Sequence, residues 1–313
     1  MQVKDSIHVA FCISNSFARH TAVVIASVLE SAPGEKFVFH VLSGDLQEQN
    51  KVLLSEMMSE YCSIVFHQVD RSRFDRYPTA LEYFSQEIYY RFLIPELIQE
   101  KRVIYSDVDV LVYQSLRTLW EMDLNGASIA AVREFNESHE PGSKSEQGWS
   151  FYKRSIGMRE ESVYFYSGLL VMDCDALRRE NFTARCFEDT EECVRTLNEE
   201  AFGAPDQVVI NRLYEGEIVE ISPAWCVTDA MKTIWKGDIA IRHFAGQYEK
   251  PWCNIIWNTS WPAYLKYLLK TPYKRESAAF IWDHLKGIVY SSHVKKGYRR
   301  GFLFGLRIWK RKS

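Results

Sequence analysis

The sequence has few of the features that mark disulfide-rich, zinc-binding or membrane-spanning proteins. Its seven cysteines are odd in number and irregularly spaced, and no C-x-x-C pair occurs. We therefore expect reduced thiols, with neither a disulfide framework nor a zinc site. No apolar run reaches the roughly 18 residues that a transmembrane helix needs, and the N-terminal residues are too few and too polar for a signal peptide. These absences predict a cytoplasmic protein.

The chain also lacks internal repeats and any Pro/Gly-rich linker that would cut it in two. Its 313 residues are 47% hydrophobic and 25% charged, which is typical of a soluble globular protein. The net charge of −3 is unevenly placed, because the last 21 residues carry eight Lys/Arg and no acid, so residues 1–292 carry −11. A basic tail on an acidic body suggests contact with an anionic surface such as a membrane. We expect no nucleic-acid partner.

Apolar strand patterns alternate with amphipathic helix patterns along the first third of the chain. This alternation predicts βαβ units, and therefore an α/β fold with a mostly parallel sheet flanked by helices. After residue 112 the rhythm loosens, and the polar stretch 133–155 predicts a long loop. The predicted elements are strands 7–14, 36–44, 62–70, 102–112, 127–132, 164–173, 217–222 and 238–244, and helices 18–31, 46–60, 86–98, 188–200 and 207–214.

Two carboxylates interrupt the apolar stretch 103–112, VIYSDVDVLV. Because strand side chains alternate between faces, Asp107 and Asp109 point to the same side if the strand continues through them. Burying an unpaired carboxylate is costly, so the pair needs a shared proton, a basic side chain or a divalent cation. An exposed edge strand would instead leave both carboxylates in water. The apolar flanks favour a central strand with a metal site at its carboxyl end.

A late strand ends at His243, in the segment HFAGQYEKPW. Gly246 would let the backbone approach a ligand closely, and Lys250 is a flexible point charge suited to phosphate. Taken singly, His243 could be a core or surface histidine, and Lys250 a solvated surface lysine. Together with two aspartates, they suit a divalent metal that bridges a diphosphate. Mixed carboxylate and imidazole ligation favours manganese, with magnesium as the alternative.

Six segments, taken in their order along the chain, resemble the family 8 retaining glycosyltransferases. The resemblance is strongest to the bacterial hexosyltransferases that build lipopolysaccharide and lipooligosaccharide, and it runs from about residue 7 to about residue 255. One D-x-D motif is weak support, whereas six motifs in order with compatible gaps are strong support. The segments are FCISNSF, YYRFLIPEL, VIYSDVDVLV, YFYSGLLVMD, APDQVVINRLY and HFAGQYEKPW.

The resemblance implies a Rossmann-like fold of the GT-A type, Mn²⁺ as cofactor and a UDP-sugar as donor. The donor would be UDP-glucose or UDP-galactose, and the acceptor a glycan or a lipid-linked oligosaccharide. By the same resemblance, Asp107, Asp109 and His243 would be the metal ligands. The donor-binding residues would be Cys12, Ser14, Phe17, Arg91, Val108, Gly246 and Lys250.

Three residues are implied by the resemblance to act near the reacting carbon. Arg91 would hold phosphate or sugar oxygens of the donor, Asp206 would bind hydroxyls of the donor sugar, and Gln207 would lie at the β face of the anomeric carbon. Because Gln207 is neutral, we favour front-face attack over a stable covalent intermediate. The simpler interpretation of Arg91 is a surface ion pair. Asp206 follows Pro205 and could simply be a helix N-cap, but we expect it to be both cap and ligand, since one carboxylate can accept several bonds.

Several positions depart from the residues that family members usually carry. Ser14, Ser16 and Phe17 stand where many members have an acidic residue, an Asn and a Tyr to hold the base and ribose. Tyr166 replaces a frequent Asn just before Ser167, on the acceptor or sugar side of the site. These departures leave the metal ligands intact, but they leave the base, the sugar and the acceptor open.

The C-terminal part is expected to associate with a membrane. We divide the chain into a transferase domain, residues 1–260, and a helical, basic segment, residues 261–313. On a helical wheel the segment shows an apolar stripe beside basic residues, as interfacial helices do; the stripe consists of Tyr298, Phe302, Leu306 and Trp309. A disordered basic tail is the alternative. The expected location is cytoplasmic, on the inner face of the cytoplasmic membrane.

Two other functions fit parts of the sequence. Phosphatases of the haloacid dehalogenase type also have a strand that ends in Asp-x-Asp, but their motif usually opens the chain and a later acidic motif holds magnesium. Here the late segment reads GDIAIRHF and has no second acid at that place. A non-catalytic relative that binds a nucleotide sugar or a glycan is the other alternative, and turnover of any UDP-sugar would exclude it.

Overall fold

The computed structural model describes residues 5–78, 85–134, 144–198, 201–228, 231, 235–245, 250–252, 260–276, 290–295, 298–303 and 306–312. Within these ranges, seven strands form the central sheet: β1 (Ile7–Cys12), β2 (Phe37–Ser43), β3 (Cys62–Gln68), β4 (Arg102–Ser106), β6 (Ile129–Arg133), β7 (Phe165–Asp173) and β8 (Val219–Ile221). Two short strands, β5 (Val110–Val112) and β9 (Ile241–His243), pair outside it.

The central sheet has the strand order β3-β2-β1-β4-β7-β6-β8. The neighbours of β1 are both parallel to it, β2 is parallel to β3, and β6 is parallel to β8. Strand β7 runs antiparallel to β4 and β6. The prediction of a mostly parallel sheet flanked by helices is therefore confirmed, with β7 as the exception among these strands.

Helices cover both faces of the sheet. The α-helices are α1 (Ala18–Ser31), α2 (Glu48–Ser55), α3 (Ile94–Leu97), α4 (Arg117–Trp120), α5 (Lys144–Ser155), α6 (Cys174–Arg179), α7 (Phe182–Thr196), α8 (Pro205–Leu213) and α9 (Trp261–Leu268). The 3-10 helices are Asn15–Phe17, Arg71–Phe74, Gln86–Leu93, Pro223–Cys226 and Pro272–Glu276. No helix among the described residues is long and apolar enough to cross a membrane.

Side-chain alternation along β1 shows how the sheet separates two cores. Val9 and Phe11 pack into a cluster with α1, and Ala10, between them, packs into a second cluster with α7 and α8. The alternation follows from the two-residue period of a strand whose two faces are both covered. Strand β4 lies at the centre of the sheet with four of its five residues buried, so its carboxyl end opens between the two helix layers.

The predicted strand 102–112 is wrong in one respect, because it breaks after Ser106. The chain leaves the central sheet there, and β5 pairs with β9, so that Val110 lies opposite His243. Two adjacent carboxylates would be strongly destabilised inside a strand that is buried on both faces. The break puts Asp107 and Asp109 at the carboxyl edge of the sheet, where Asp107 N–H donates to Gly168 O at 2.8 Å.

The prediction of one loop over 133–155 is also wrong. Residue 133 ends β6 and residues 144–155 form α5, while 135–143 lie outside the described residues. Trp149 and Tyr152 of α5 both pack against Tyr164, with ring centroids 5.5 and 5.7 Å away. Burying these rings stabilises a helix whose Ser and Gly content suggested a loop.

The C-terminal segment is not helical over the residues that the helical wheel used. Residues 261–268 do form a helix, α9, but three antiparallel strands follow: β10 (Tyr290–Lys295), β11 (Tyr298–Leu303) and β12 (Leu306–Lys312). The predicted apolar stripe of Tyr298, Phe302, Leu306 and Trp309 therefore falls on strands. Three glycines, at 297, 301 and 305, each weaken a helix by roughly 1 kcal/mol relative to alanine, so a continuous helix over this stretch is unfavourable.

Candidate active site

A cavity of about 420 Å³ opens at the carboxyl ends of β1 and β4. Ligands of open α/β sheets usually bind at this edge. Of the residues predicted from the sequence, one, Gly246, lies outside the described residues. All the others line the cavity: Cys12, Ser14, Phe17, Arg91, Asp107, Val108, Asp109, Tyr166, Ser167, Asp206, Gln207, His243 and Lys250.

Three of these side chains bring possible metal ligands together. His243 Nε2 lies 3.1 Å from Asp109 Oδ1 and 3.8 Å from Asp107 Oδ2. Neighbouring ligand atoms around an octahedral divalent ion are about 3 Å apart, so this cluster is close to that geometry. Each carboxylate also uses its other oxygen elsewhere, since Asp107 Oδ1 accepts from Tyr105 Oη at 2.6 Å and Asp109 Oδ2 contacts Lys250 Nζ. The Asp107–Asp109–His243 cluster therefore fits a divalent cation.

Neighbouring charges shift the pKa values of Asp109 and His243 in this cluster. Burial raises the pKa of Asp109, but His243 and Lys250 outweigh it and hold that pKa well below its usual range. Burial lowers the pKa of His243, yet Asp109 raises it well above its usual value. Lys250 Nζ also donates to Phe244 O at 2.8 Å. Asp109 is thus an ionised carboxylate at the cavity wall, as metal ligation requires.

Gly168 on β7 has no side chain, which allows Asp107 and His243 to lie close to its backbone. A Cβ at this position would lie 2.6 Å from Asp107 Oδ2 and 2.7 Å from His243 Cε1. It would also lie 2.8 Å from Cε1 of Tyr166, whose ring packs edge-on against the His243 imidazole at 5.2 Å. Any side chain at residue 168 would therefore overlap both predicted metal ligands and the aromatic ring beside them.

Arg91 is the central cation of the cavity floor. Its guanidinium lies 2.9 Å from Asp206 Oδ2 and 3.3 Å from Asp107 Oδ1, and it donates to Ser167 O at 2.7 Å. It also stacks over the Tyr105 ring, 4.4 Å from the centroid. Burial lowers the pKa of Arg91, but the neighbouring carboxylates raise it, so the side chain stays charged. The surface ion-pair interpretation of Arg91 is wrong, because the residue is buried.

Asp206 and Gln207 both face Ser167 from the first turn of α8. Asp206 Oδ2 accepts from Ser167 Oγ at 2.8 Å, and Gln207 Oε1 accepts from Ser167 N–H at 3.0 Å. Burial raises the pKa of Asp206, although Arg91 opposes the shift. The N-cap position belongs to Ala204 and Pro205 begins the helix, so the cap half of the expectation that Asp206 is both cap and ligand is wrong. Its carboxylate is held at the cavity floor instead.

The first motif forms the rim of the cavity. Ser14 Oγ and Ser16 Oγ are hydrogen-bonded to each other at 2.9 Å. Phe17 is 36% exposed and meets the Trp252 ring edge-on at 6.4 Å. Trp252 in turn stacks on His20 at 3.7 Å, which ties the chain beyond Lys250 to α1. The rim thus offers two hydroxyls and an aromatic wall.

Comparison with known families gives this cavity its context. The family model described as Glycosyl transferase family 8 matches residues 8–256. The chain belongs to glycosyl transferase family 8. It is therefore a glycosyltransferase, and the family match argues against the phosphatase alternative.

Individual relatives of this family 8 protein are distant. General stress protein A of Bacillus subtilis (strain 168) is 26% identical over 272 residues, which cover 80% of this chain and 89% of that protein. The lipopolysaccharide 1,2-glucosyltransferase of Escherichia coli is 22% identical over 216 residues, covering 67% and 59%. The crystal structure of the galactosyltransferase LgtC with donor and acceptor sugar analogs superposes with a TM-score of 0.73 at 21% identity, covering 85% and 96%. That superposition shows a shared GT-A-like α/β fold.

Besides Gly168, the residues at or beside the site that were not predicted from the sequence include Tyr105, Glu87 and Cys226. Tyr105 Oη donates to Asp107 Oδ1, and its place in the sequence two residues before that carboxylate was a usable signal. Glu87 lines the cavity four residues before Arg91. Cys226 Sγ lies 3.4 Å from His243 Nδ1. No spacing rule links Cys226 to His243, so only the fold reveals this contact.

Proposed function

We propose that this family 8 protein is a metal-dependent retaining hexosyltransferase. It would move glucose or galactose from a UDP-sugar to a glycan or lipid-linked oligosaccharide in the synthesis of a bacterial surface polysaccharide. The observation that carries the proposal is the convergence of Asp107, Asp109 and His243 beside Lys250 in one cavity. The names of a lipopolysaccharide glucosyltransferase and a galactosyltransferase among its relatives support the substrate class.

The ligand set suits Mn²⁺, with Mg²⁺ as the alternative. The two carboxylate oxygens are hard ligands and the imidazole nitrogen is a borderline ligand, and Mn²⁺ binds both kinds readily. A bound cation would supply positive charge to the diphosphate as it leaves. Lys250 is the protein's own cation at this wall, and we assign it to the same diphosphate. Its flexible stem can reach a phosphate oxygen as well as Asp109.

The floor of the cavity is assigned to the donor sugar. Arg91 fixes the carboxylates of Asp206 and Asp107, and Ser167 fixes both Asp206 and the carbonyl of Gln207. Such a connected set holds its members in one geometry, which is what orientation of a sugar requires. Asp206 would accept hydrogen bonds from sugar hydroxyls. The Gln207 carbonyl would face the anomeric carbon as positive charge develops on it.

We assign the reaction to front-face substitution. The bond between the anomeric carbon and the diphosphate oxygen breaks, and the acceptor oxygen bonds to the same face of that carbon. The acceptor's proton passes to the departing phosphate oxygen. Gln207 is neutral and hydrogen-bonded to Ser167, so it stabilises charge without forming a lasting covalent bond.

The rim is assigned to the nucleotide and the acceptor. Phe17 would stack on the base, and the hydroxyls of Ser14 and Ser16 would contact base or ribose, with Cys12 and Val108 shaping the same wall. Tyr166 would limit the space on the sugar and acceptor side. Serine hydroxyls can donate or accept, so they recognise a base less selectively than a carboxylate and an amide would.

The C-terminal part is assigned to membrane contact. We retain the division at residue 260, with residues 261–313 as the segment that meets the inner face of the cytoplasmic membrane. Eight Lys/Arg within the last 21 residues support this assignment, at about 1 kcal/mol for each basic residue near an anionic surface. Most of these basic residues belong to the strands β10–β12 and not to the expected helix.

UDP release from a panel of UDP-sugars tests the proposal. Slow hydrolysis of one UDP-hexose, dependent on Mn²⁺ and stopped by EDTA, is the expected result. Proton NMR of the product formed with an acceptor should show the anomeric configuration of the donor. No release and no metal-dependent binding of any UDP-sugar would contradict the proposal. That outcome would favour a non-catalytic binding protein, which the changes at Ser14, Ser16 and Tyr166 would then explain.

A further inference from the structure

We infer that Cys226 is a positioning residue for His243, and that its sulfur fixes which imidazole nitrogen faces the metal site. The inference rests on the proposed function, because it concerns how a ligand of that same site is oriented. Cys226 Sγ lies 3.4 Å from His243 Nδ1, on the side of the ring opposite to Nε2. Nε2 is the atom that faces Asp109 and Asp107.

The backbone around both residues holds this contact in register. The 3-10 helix Pro223–Cys226 ends beside β9, where Val227 N–H donates to Ile241 O and His243 N–H donates to Val227 O, each at 3.0 Å. Cys226 and His243 are 3% and 2% exposed. Neither side chain can turn away without breaking a buried packing arrangement, so the contact is part of the fold.

The proton on the imidazole explains what the sulfur does. A histidine that binds a metal through Nε2 carries its proton on Nδ1, and that N–H needs an acceptor. Metal-bound histidines usually donate to a carboxylate or a carbonyl oxygen. Here the acceptor is the Cys226 sulfur, which accepts a hydrogen bond more weakly than oxygen does. Cys226 thus orients His243 through the ring nitrogen that does not face Asp107 and Asp109.

Other contacts hold the plane of the imidazole ring in place. The hydrogen bond to Nδ1 then determines which nitrogen carries the proton. The Tyr166 ring packs edge-on against the imidazole, and the backbone of Gly168 approaches it too closely to admit a Cβ. These contacts restrict tilting of the ring but contribute no hydrogen bond to Nδ1. Loss of the Cys226 acceptor should therefore permit the other tautomer or a rotated ring.

Mn²⁺ binding followed by electron paramagnetic resonance tests this role in the ligand-free enzyme. Cys226→Ala should weaken Mn²⁺ binding by about 10- to 100-fold, the usual effect of losing an outer partner of a metal-bound histidine. Cys226→Ser should show a similar loss, because the shorter C–O bond leaves the hydroxyl too far from Nδ1. Cys226→Asn should restore binding, since its carbonyl oxygen reaches further and accepts strongly.

Cys174→Ala is the matched control, because Cys174 is fully buried and does not line the cavity. It should lower the melting temperature as Cys226→Ala does and leave Mn²⁺ affinity unchanged. Wild-type affinity in Cys226→Ala would overturn the inference while leaving the proposed function intact. Failure of the wild-type protein to bind Mn²⁺ or to act on any UDP-hexose would instead refute the proposed function. If Cys226→Ala does not fold, Cys226→Ser, with nearly the same volume, provides the same comparison.

Discussion

The substitution Gly168→Ala should damage the metal site far more than it damages the fold. The new Cβ would lie 2.6 Å from Asp107 Oδ2 and 2.7 Å from His243 Cε1. Ordinary van der Waals contact begins at 3.4 Å, so the two ligands would have to retreat by 0.8 and 0.7 Å. Metal sites tolerate deviations of roughly 0.2 Å in ligand distance. The required displacement is several times larger than that tolerance.

The size of the effect follows from this geometry. Overpacking by one methyl group costs about 1–3 kcal/mol of unfolding free energy, which a domain of this size survives. A misplacement near 1 Å of groups at a reacting centre costs about 100-fold in rate. We therefore expect Gly168→Ala to fold, to lose most of its Mn²⁺ affinity and to release UDP about 100-fold more slowly than the wild-type protein.

Gly148→Ala is the matched control. Gly148 lies in α5, where a Cβ meets nothing within 4 Å. Alanine favours a helix over glycine by about 1 kcal/mol, so this variant should be slightly more stable and fully active. Urea unfolding, Mn²⁺ titration and UDP release on both variants complete the comparison. Wild-type Mn²⁺ affinity in Gly168→Ala would refute the account of a closely packed ligand cluster.

Two further predictions concern stability. Burial, together with the neighbouring His8 and His67, lowers the pKa of His40 to about 3. Below pH 6.5 the unfolded chain is therefore protonated at His40, while the folded chain is not. The free energy of unfolding should fall between pH 6.5 and pH 3, by up to about 1.4 kcal/mol per pH unit for that proton. Urea unfolding across this range should show a flatter decline for His40→Leu, and identical slopes would contradict the assignment. Arg91→Ala should cost about 3–5 kcal/mol, because it leaves the buried carboxylate of Asp206 without its cation. Arg76→Ala, at an exposed ion pair with Glu191, should cost less than about 1 kcal/mol, and equal losses would argue against the Arg91 network.

The parts of the fold that the sequence predicted well are those with strong local periodicity. Helix α1 begins and ends at the predicted residues 18 and 31, because its apolar residues recur with helical spacing and Pro33-Gly34 follows. Strands β1 to β3 were located to within two residues, because each is a short apolar run with strand periodicity. The carboxyl edge of β4 was expected to carry the site, and the cavity lies there.

The errors arise where tertiary contacts override local pattern. The run VIYSDVDVLV contains no Gly or Pro, so nothing in it signals the break after Ser106 that the buried carboxylates require. Helix α5 depends on packing of Trp149 and Tyr152 against Tyr164, a residue on a different element. In the tail, apolar spacing suited a helix, yet glycines at every fourth position weaken such a helix, and strand β11 forms there instead.

Within the site, the sequence predicted the residues that line the cavity, but not the residues that hold the predicted metal ligands in place. Asp107, Asp109 and His243 belong to motifs that can be read in a single chain. The contacts that hold them come from Tyr105, Gly168 and Cys226, whose roles depend on close approach between separate strands. Such approaches have no signature in spacing, because they arise only when the sheet and β9 are assembled.

Diffraction from a crystal soaked with Mn²⁺ and UDP, recorded at the manganese absorption edge, tests the central claim most directly. The account predicts one anomalous peak within about 2.2 Å of Asp107, Asp109 and His243 Nε2, with the UDP diphosphate on its open side next to Lys250. The same soak of an Asp109→Ala crystal should show no such peak. Manganese bound elsewhere, or UDP bound without contact to the Asp107–Asp109–His243 cluster, would contradict the account.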